Sequence, residues 1–474
     1  MKYMKNVSAF IVLTAALGML LFLSCKKEDS CADCIGNKHP LLAVGGPDTV
    51  INLPTDSVLL NGSNSSDPDG KISEWQWTKI SGPDSITIIN PKAAQTWVNH
   101  LEEGYYLIEL KATDSAGLSA KDTVHVTVLN TQQICDTLNR ATITIQLVPV
   151  ATIPTPRYSF TTAGNKLLLA GGYTGPGGTT PVSDVDIYDF GTQTWSTAHL
   201  STARADVSVA TAGNKIFFVG GEVPGIYGTT RVDIYDASTN TWSFSDLASP
   251  ASIVYSYAVV GNKVFFVTDR APVGKVDVYD TSTGLWSEID LPEHQAAPTA
   301  TTVGDKVYFA GGSGNFPTWA LNVVDIYDNG TGTWSTTSSF RLPIWGMASI
   351  YVNRKIYWAG GVIGYDEVKD KDISTCRVEI RDLSTGSSSF TNLSAPRGFY
   401  GNYGKPIYYN NKIIFPGWNY DIYDTQTSTW SIGQFPPNVN VYGSVILVNN
   451  ALYAIGCTDC SSDPLPNQIW KLQY

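Results

Sequence analysis

Val185-Asp186-Ile187-Tyr188-Asp189, with Trp195 a short step downstream, decides the fold of this chain because it recurs. The phrase returns at Val232–Asp236, Val276–Asp280, Val324–Asp328, Val378–Asp382 (with Glu379, Ile380 and Arg381 inside) and Tyr420–Asp424. An aromatic follows each copy, in turn Trp242, Trp286, Trp334, Phe390 and Trp430, at spacings of 47, 44, 48, 56 and 40 residues. A second phrase comes before each: a tight polar turn, an apolar run and often a glycine pair, as in Gly164-Asn165-Lys166-Leu167-Leu168-Leu169-Ala170-Gly171-Gly172. It recurs at Gly213–Gly221, Gly261–Asp269, Gly304–Gly312, Asn353–Gly361, Asn410–Trp418 and Asn449–Cys457, seven copies in all. A period of this length marks a unit that cannot bury both faces alone and stacks on copies of itself.

Together the two phrases resemble the kelch repeat across the whole region from Thr142 to Tyr474. The resemblance implies four strands per copy, a to d from a central channel outward: a before the polar turn, b ending at the glycines, c as Val-Asp-Ile-Tyr, d starting at the Trp. The Tyr and Trp then pack between neighbouring sheets rather than serving as ligand platforms. The seventh copy lacks a full ending and stops at Ile469-Trp470-Lys471-Leu472. Thr142–Val148 alternates cleanly just before the first a strand. It is expected to supply strand d of the last sheet, giving a seven-bladed propeller closed by an N-terminal strand and free of exposed edges.

The stretch from His39 to Asn130 has its own strand signals: Tyr106, Ile108 and Leu110 alternate, as do Val124, Val126 and Val128. Asp67-Pro68-Asp69-Gly70, Ser81-Gly82-Pro83 and Asp114-Ser115-Ala116-Gly117 are turns. Short strands and frequent turns argue for a β-sandwich. Ser66–Gly70, Trp75-Gln76-Trp77 and the run from Tyr105 to Val128 resemble the PKD family. That resemblance makes Trp77 the core tryptophan of an Ig-like sandwich and the unit a spacer or contact module. Asp67 and Asp69 are candidate calcium ligands, although a hydrogen-bonded turn explains them as well. The fold class is therefore all-β.

Lys2 and Lys5 precede an apolar run from Phe10 to Leu23 that is short for a membrane span. Leu21-Phe22-Leu23-Ser24-Cys25 resembles a bacterial lipobox, which implies a signal peptide over 1–24 and lipidation of Cys25. The acyl chains would tether the chain through 25–38 to the sandwich at 39–130 and the propeller at 131–474. Lys26-Lys27-Glu28-Asp29 resembles export tags of outer-membrane lipoproteins, so the cell surface is expected, with the periplasmic side as the other orientation. Six further cysteines remain: Cys31, Cys34, Cys135, Cys376, Cys457 and Cys460. An exported chain favours disulfides among them, with fifteen pairings open. The two Cys-x-x-Cys pairs have half-zinc-site spacing but no histidine beside them.

A net charge of −11 argues against nucleic acid as a partner. Strand direction alternates within a sheet, so the b–c and d–a loops share one face. They are also the long and variable ones: Tyr173–Ser183, Glu222–Thr230, Ser313–Asn322 and Val362–Cys376. Binding resides more often in such loops than in uniform turns. Trp319, Trp345 and Trp418 fall outside the repeat frame on that face, near Phe316, Tyr365, Phe399 and Tyr400. Aromatics with arginines suit a glycan or a protein hot spot. Kelch proteins that bind acidic ligands often carry arginines at the start of strand a, and Arg157, Arg204 and Arg397 match that place. Copper-oxidase relatives need two histidines at copper and a Tyr–Cys crosslink, whereas the repeat region has only His199 and His294. Asp328-Asn329-Gly330 to Trp334 misses a sialidase aspartate box by one residue. Kelch-type sugar epimerases rely on an arginine with an acidic residue, a role Arg204 and Glu222 could fill although nothing in their spacing demands it. No cofactor or metal is expected. The leading reading is a membrane-anchored binding or scaffolding protein for a glycan or protein; the alternative is an epimerase- or glycosidase-like enzyme.

Overall fold

Alternation along Gly104–Asp114 and Ser119–Leu129 sends Tyr106, Ile108, Leu110, Val124, Val126 and Val128 to one face. The computed structural model describes residues 40–68, 70–130, 135, 140–155, 157, 159–173, 180–223, 225–226, 228–269, 274–292, 296–313, 321–338, 340, 342–366, 371–399, 404–417, 419–437, 439–458 and 467–473. Among them there is no helix. The two long strands form the centre of a four-stranded sheet, flanked by Ile72–Ser81 and by Thr49–Asn52, which pairs in parallel. Val58–Asn61, Gln95–Asn99 and Thr87–Ile88 make the second, three-stranded sheet. Leu60 and Val98 from the second sheet share one apolar core with Trp77, Tyr106 and Leu110 from the first. Trp77 is 1% exposed and its indole N–H donates to the carbonyl of Ala93, so it occupies the core position the resemblance implied. In the Asp67–Gly70 turn the Gly70 amide donates to the Asp67 carbonyl; Asp69 lies outside the described residues.

Seven further sheets of four or five strands follow among the described residues. Their a strands are Ser159–Ala163, Ser208–Ala212, Val254–Val260, Thr299–Val303, Ala348–Val352, Ile407–Tyr409 and Val439–Val448. Their c strands are Asp184–Asp189, Thr229–Asp236, Lys275–Asp280, Val323–Asp328, Arg377–Asp382, Tyr420–Asp424 and Gln468–Gln473. The repeat phrases explain this regularity. The first residue of each a–b turn has positive φ, as at Gly164 (57°), Gly304 (58°), Asn353 (51°) and Asn449 (48°), which is why only Gly or Asn stands there. The lysine after that turn faces the aspartate ending strand c, register partners that form ion pairs: Lys166 with Asp189 at 3.4 Å, Lys215 with Asp236 at 3.0 Å. The Tyr of strand c lies directly across from the Trp of strand d in five sheets, for example Tyr188 with Trp195 and Tyr279 with Trp286, ring centroids 5.0 and 4.9 Å apart.

The fifth sheet breaks the phrase. Arg381 stands at the Tyr position and faces Ser388, while Phe390 faces Glu379. Phe390 is therefore not the counterpart of the tryptophans. It matches Phe244, which faces Asp233 in the second sheet. Each of these phenylalanines lies under an arginine of strand c, Arg231 over Phe244 and Arg377 over Phe390, both at 4.5 Å. The long spacing here has a cause as well: Val362–Asp366 and Lys371–Ser374 form an extra hairpin within the b–c loop.

The N-terminal strand also differs from expectation. It is two strands. Ala141–Thr144 pairs in parallel with Thr429–Gln434 and becomes a fifth, outermost strand of the sixth sheet. Gln146–Thr152 then pairs antiparallel with Gln468–Gln473 as the outer strand of the seventh. Ile145, 1% exposed, sits between the two in the core shared by those sheets. Apolar clusters join each sheet to the next, and one containing Phe160, Leu167, Ile455 and Ile469 joins the seventh to the first.

Candidate functional site

Arg157, Arg204 and Arg397 lie in the d–a connections ahead of strand a rather than at its first residue, and their charge is used inside the wall. Arg157 Nε lies 3.1 Å from Asp186, and its Nη1 donates to the Gly171 carbonyl. Arg204 is fully buried, paired with Asp233 at 2.5 Å and donating to the carbonyls of Gly220 and Arg231. Arg397 pairs with Asp421 and donates to the Pro416 carbonyl. The partner in every case is the second residue of the Val-Asp-Ile-Tyr phrase of the same sheet. A buried pair of this kind is neutralised internally and presents little net charge to a ligand. Arg204 thus faces Asp233 rather than Glu222, whose carboxylate accepts from the Tyr173 hydroxyl at 3.5 Å. Arg140, unmarked by any repeat, is the second guanidinium on Asp421, at 2.7 Å, and stacks on Trp430 at 4.8 Å.

On the b–c and d–a face, Trp345 is half-buried, and its backbone bridges to Val362 at the start of the extra hairpin. Trp319, Trp418, Tyr400 and Cys25 lie outside the described residues. The same face carries the sandwich. Leu129, at the end of the sandwich's last strand, packs in one cluster with Ile363 and Ile373 of the hairpin. Arg377 reaches Glu103 at 3.4 Å. A disulfide joins Cys135 to Cys376, Cα atoms 5.8 Å apart, at the foot of the fifth sheet's c strand. Of the fifteen pairings open in the sequence, this one fixes the sandwich to the loop face. Cys457 is also disulfide-bonded, to a partner outside the described residues.

A cavity of about 210 Å³ lies on the a-strand side of the sheets, walled by the a strands of the third, fourth and fifth sheets and by Phe399 and Gly404–Pro406. Most hydroxyls on this wall stitch neighbouring strands together. Thr299 donates to the Met347 carbonyl at 3.0 Å, Thr302 to the Val259 carbonyl at 3.0 Å, and Ser256 to the Pro298 carbonyl at 2.7 Å. Thr301 donates to Ser349 Oγ at 2.6 Å. Lys405 Nζ sits 3.0 Å from the centroid of the Tyr257 ring. The surrounding wall pushes the amine below the ordinary lysine range, opposed by Tyr257, although water still reaches the side chain. Lys405 belongs to the d–a connection outside both repeat phrases, so periodicity gave no sign of it.

A two-sheet sandwich joined to sheets of four strands with paired glycines, facing Tyr and Trp, and Lys–Asp clasps is a PKD domain followed by a kelch-type propeller. Comparison with known proteins bears this out in two places. Residues 45–128 match a family model for the PKD domain, of the type named after the KIAA0319-like proteins. Residues 119–312 match that for the KLHDC2/KLHL20/DRC7 kelch-repeats domain. The chain is 40% identical over 90 residues to low-density lipoprotein receptor-related protein 11 of Homo sapiens, covering 19% of this chain and 18% of the relative. It is 37% identical over 92 residues to dyslexia-associated protein KIAA0319 of Homo sapiens, covering 19% and 8%. The chain thus spans less than a fifth of the length of these curated relatives. Among solved structures, the PKD domain from KIAA 1837 protein is 38% identical over 19% of this chain and 85% of that one, TM-score 0.18. YjhT is 15% identical over 60% of this chain and 99% of that one, TM-score 0.42. Kelch and PKD domains together fit an extracellular binding or scaffolding role.

Proposed function

We propose that this protein is a membrane-anchored binding module whose b–c and d–a loop face recognises a protein partner. In this reading the seven sheets act as a closed ring, and the two N-terminal strands hold its last seam. The observation that carries the proposal is the disulfide between Cys135 and Cys376, with Leu129 seated on the fifth sheet's hairpin. A sandwich fixed beside the variable loops makes one composite surface, and pre-organisation of that kind favours recognition. Lipidation at Cys25 holds the module at the outer membrane, facing the outside.

The immobilised chain, offered a cell-surface protein fraction and a glycan array, is expected to retain a protein that Trp345→Ala releases at least tenfold faster. Retention of a glycan instead would move the reading to carbohydrate. Turnover of sialic acids or galactosides would overturn it in favour of the enzyme. Cys25→Ala is expected to shift the protein from the membrane to the soluble fraction.

A further inference from the structure

We propose that the cavity on the a-strand side is a second, separate binding site, for a small carboxylate with an aromatic or apolar body, held by the ammonium of Lys405 and the hydroxyl of Ser349. No aspartate or glutamate lines the cavity among the described residues. The one cation lining it there faces the Tyr257 ring at 3.0 Å. In a chain of net charge −11, where Arg157, Arg204 and Arg397 are each matched by an aspartate, an amine that faces a tyrosine and, among the described residues, no carboxylate of the cavity stands apart from them. A ring face offsets part of the cost of the charge, and an anion offsets more.

Ser349 supplies the second contact. Its oxygen already accepts from Thr301 at 2.6 Å, so its own hydrogen is directed away from that bond. Tyr257, Tyr351, Phe399 and Met347 line the remainder and suit a flat apolar body. A volume of about 210 Å³ exceeds the ~150 Å³ that accommodates benzene in an apolar cavity. Benzoate is therefore a matched probe. The site does not depend on the loop-face reading, and its failure would leave partner capture untouched.

Calorimetric titration of the full chain with benzoate, benzyl alcohol and benzylamine separates charge from shape. Benzoate is expected to bind at least tenfold more tightly than benzyl alcohol, with benzylamine weakest. Lys405→Met is expected to lower benzoate affinity at least tenfold at an unchanged melting temperature. Ser349→Ala is expected to lower it several-fold, and Arg231→Met, on the outer surface, not at all. Equal binding of acid and alcohol, full affinity in Lys405→Met, or no benzoate heat at millimolar concentration would overturn the proposal.

Discussion

At the residue scale, the second position of the Val-Asp-Ile-Tyr phrase divides the sheets. Asp186, Asp233 and Asp421 each hold an arginine. In the fifth sheet the position is Glu379, 4% exposed, bonded to Ser388 Oγ at 3.1 Å, and Trp345 rather than arginine stands ahead of the a strand. Burial pushes its carboxyl from 4.5 up to about 7, with Ser388, Arg377 and Arg381 pulling the other way. The folded state therefore favours the neutral acid. That contribution is complete below pH 4.5 and is lost as pH rises through about 7. The protein is expected to be less stable at pH 8 than at pH 5 by on the order of 3 kcal/mol from this group. Glu379→Gln is expected to remove that share of the slope, read from urea midpoints at the two pH values. An unchanged slope would show that Glu379 is ionised throughout.

At the scale of the strand and its turns, glycine does two different things. Gly304 has φ 58° with nothing within 4 Å of an added Cβ, so Gly304→Ala meets only backbone strain of about 1 kcal/mol. Gly311 has φ 63°, and an added Cβ would stand 2.2 Å from the Ile344 carbonyl oxygen. Gly311→Ala is expected to cost roughly 3 kcal/mol or more, because strain and a backbone clash add. Thermal unfolding of the two variants checks the ordering, and equal losses would refute the close approach. Much of this was legible beforehand. The glycine pairs, the Gly or Asn turn and the Tyr and Trp phases each answer a local steric rule, so their spacing alone announced the sheets. Phe390 was not legible, because an aromatic at about the right distance looks the same in a sequence whether it faces the Tyr position or a residue two places earlier.

At the scale of the whole molecule, the segment before the first a strand holds two sheets at once. Removing residues 1–145 takes away Arg140 and the parallel strand Ala141–Thr144 but leaves Gln146–Thr152 in place. This variant is expected to fold and remain soluble, with a lowered melting temperature. Removing 1–152 also strips the outer strand from the seventh sheet and exposes an edge along Gln468–Gln473. It is expected to aggregate or fail to fold, as size-exclusion chromatography would show. Equal behaviour of the two truncations would mean that the pairing of Gln146–Thr152 with Gln468–Gln473 contributes nothing to stability.

Type and order of the sheets followed from the sequence alone, because each repeat carries its own turn, strand and packing signals within about fifty residues. The PKD sandwich and its buried Trp77 followed in the same way. Tertiary structure decided what depends on partners distant along the chain. Arg157 and Arg204 turned from cations at a channel mouth into internal braces once an aspartate 29 residues away was placed beside each. Cys135 found Cys376 across 241 residues, and Lys405 came to stand over Tyr257. Local sterics are written in neighbouring residues, whereas charge compensation and burial are settled only when the chain has closed on itself.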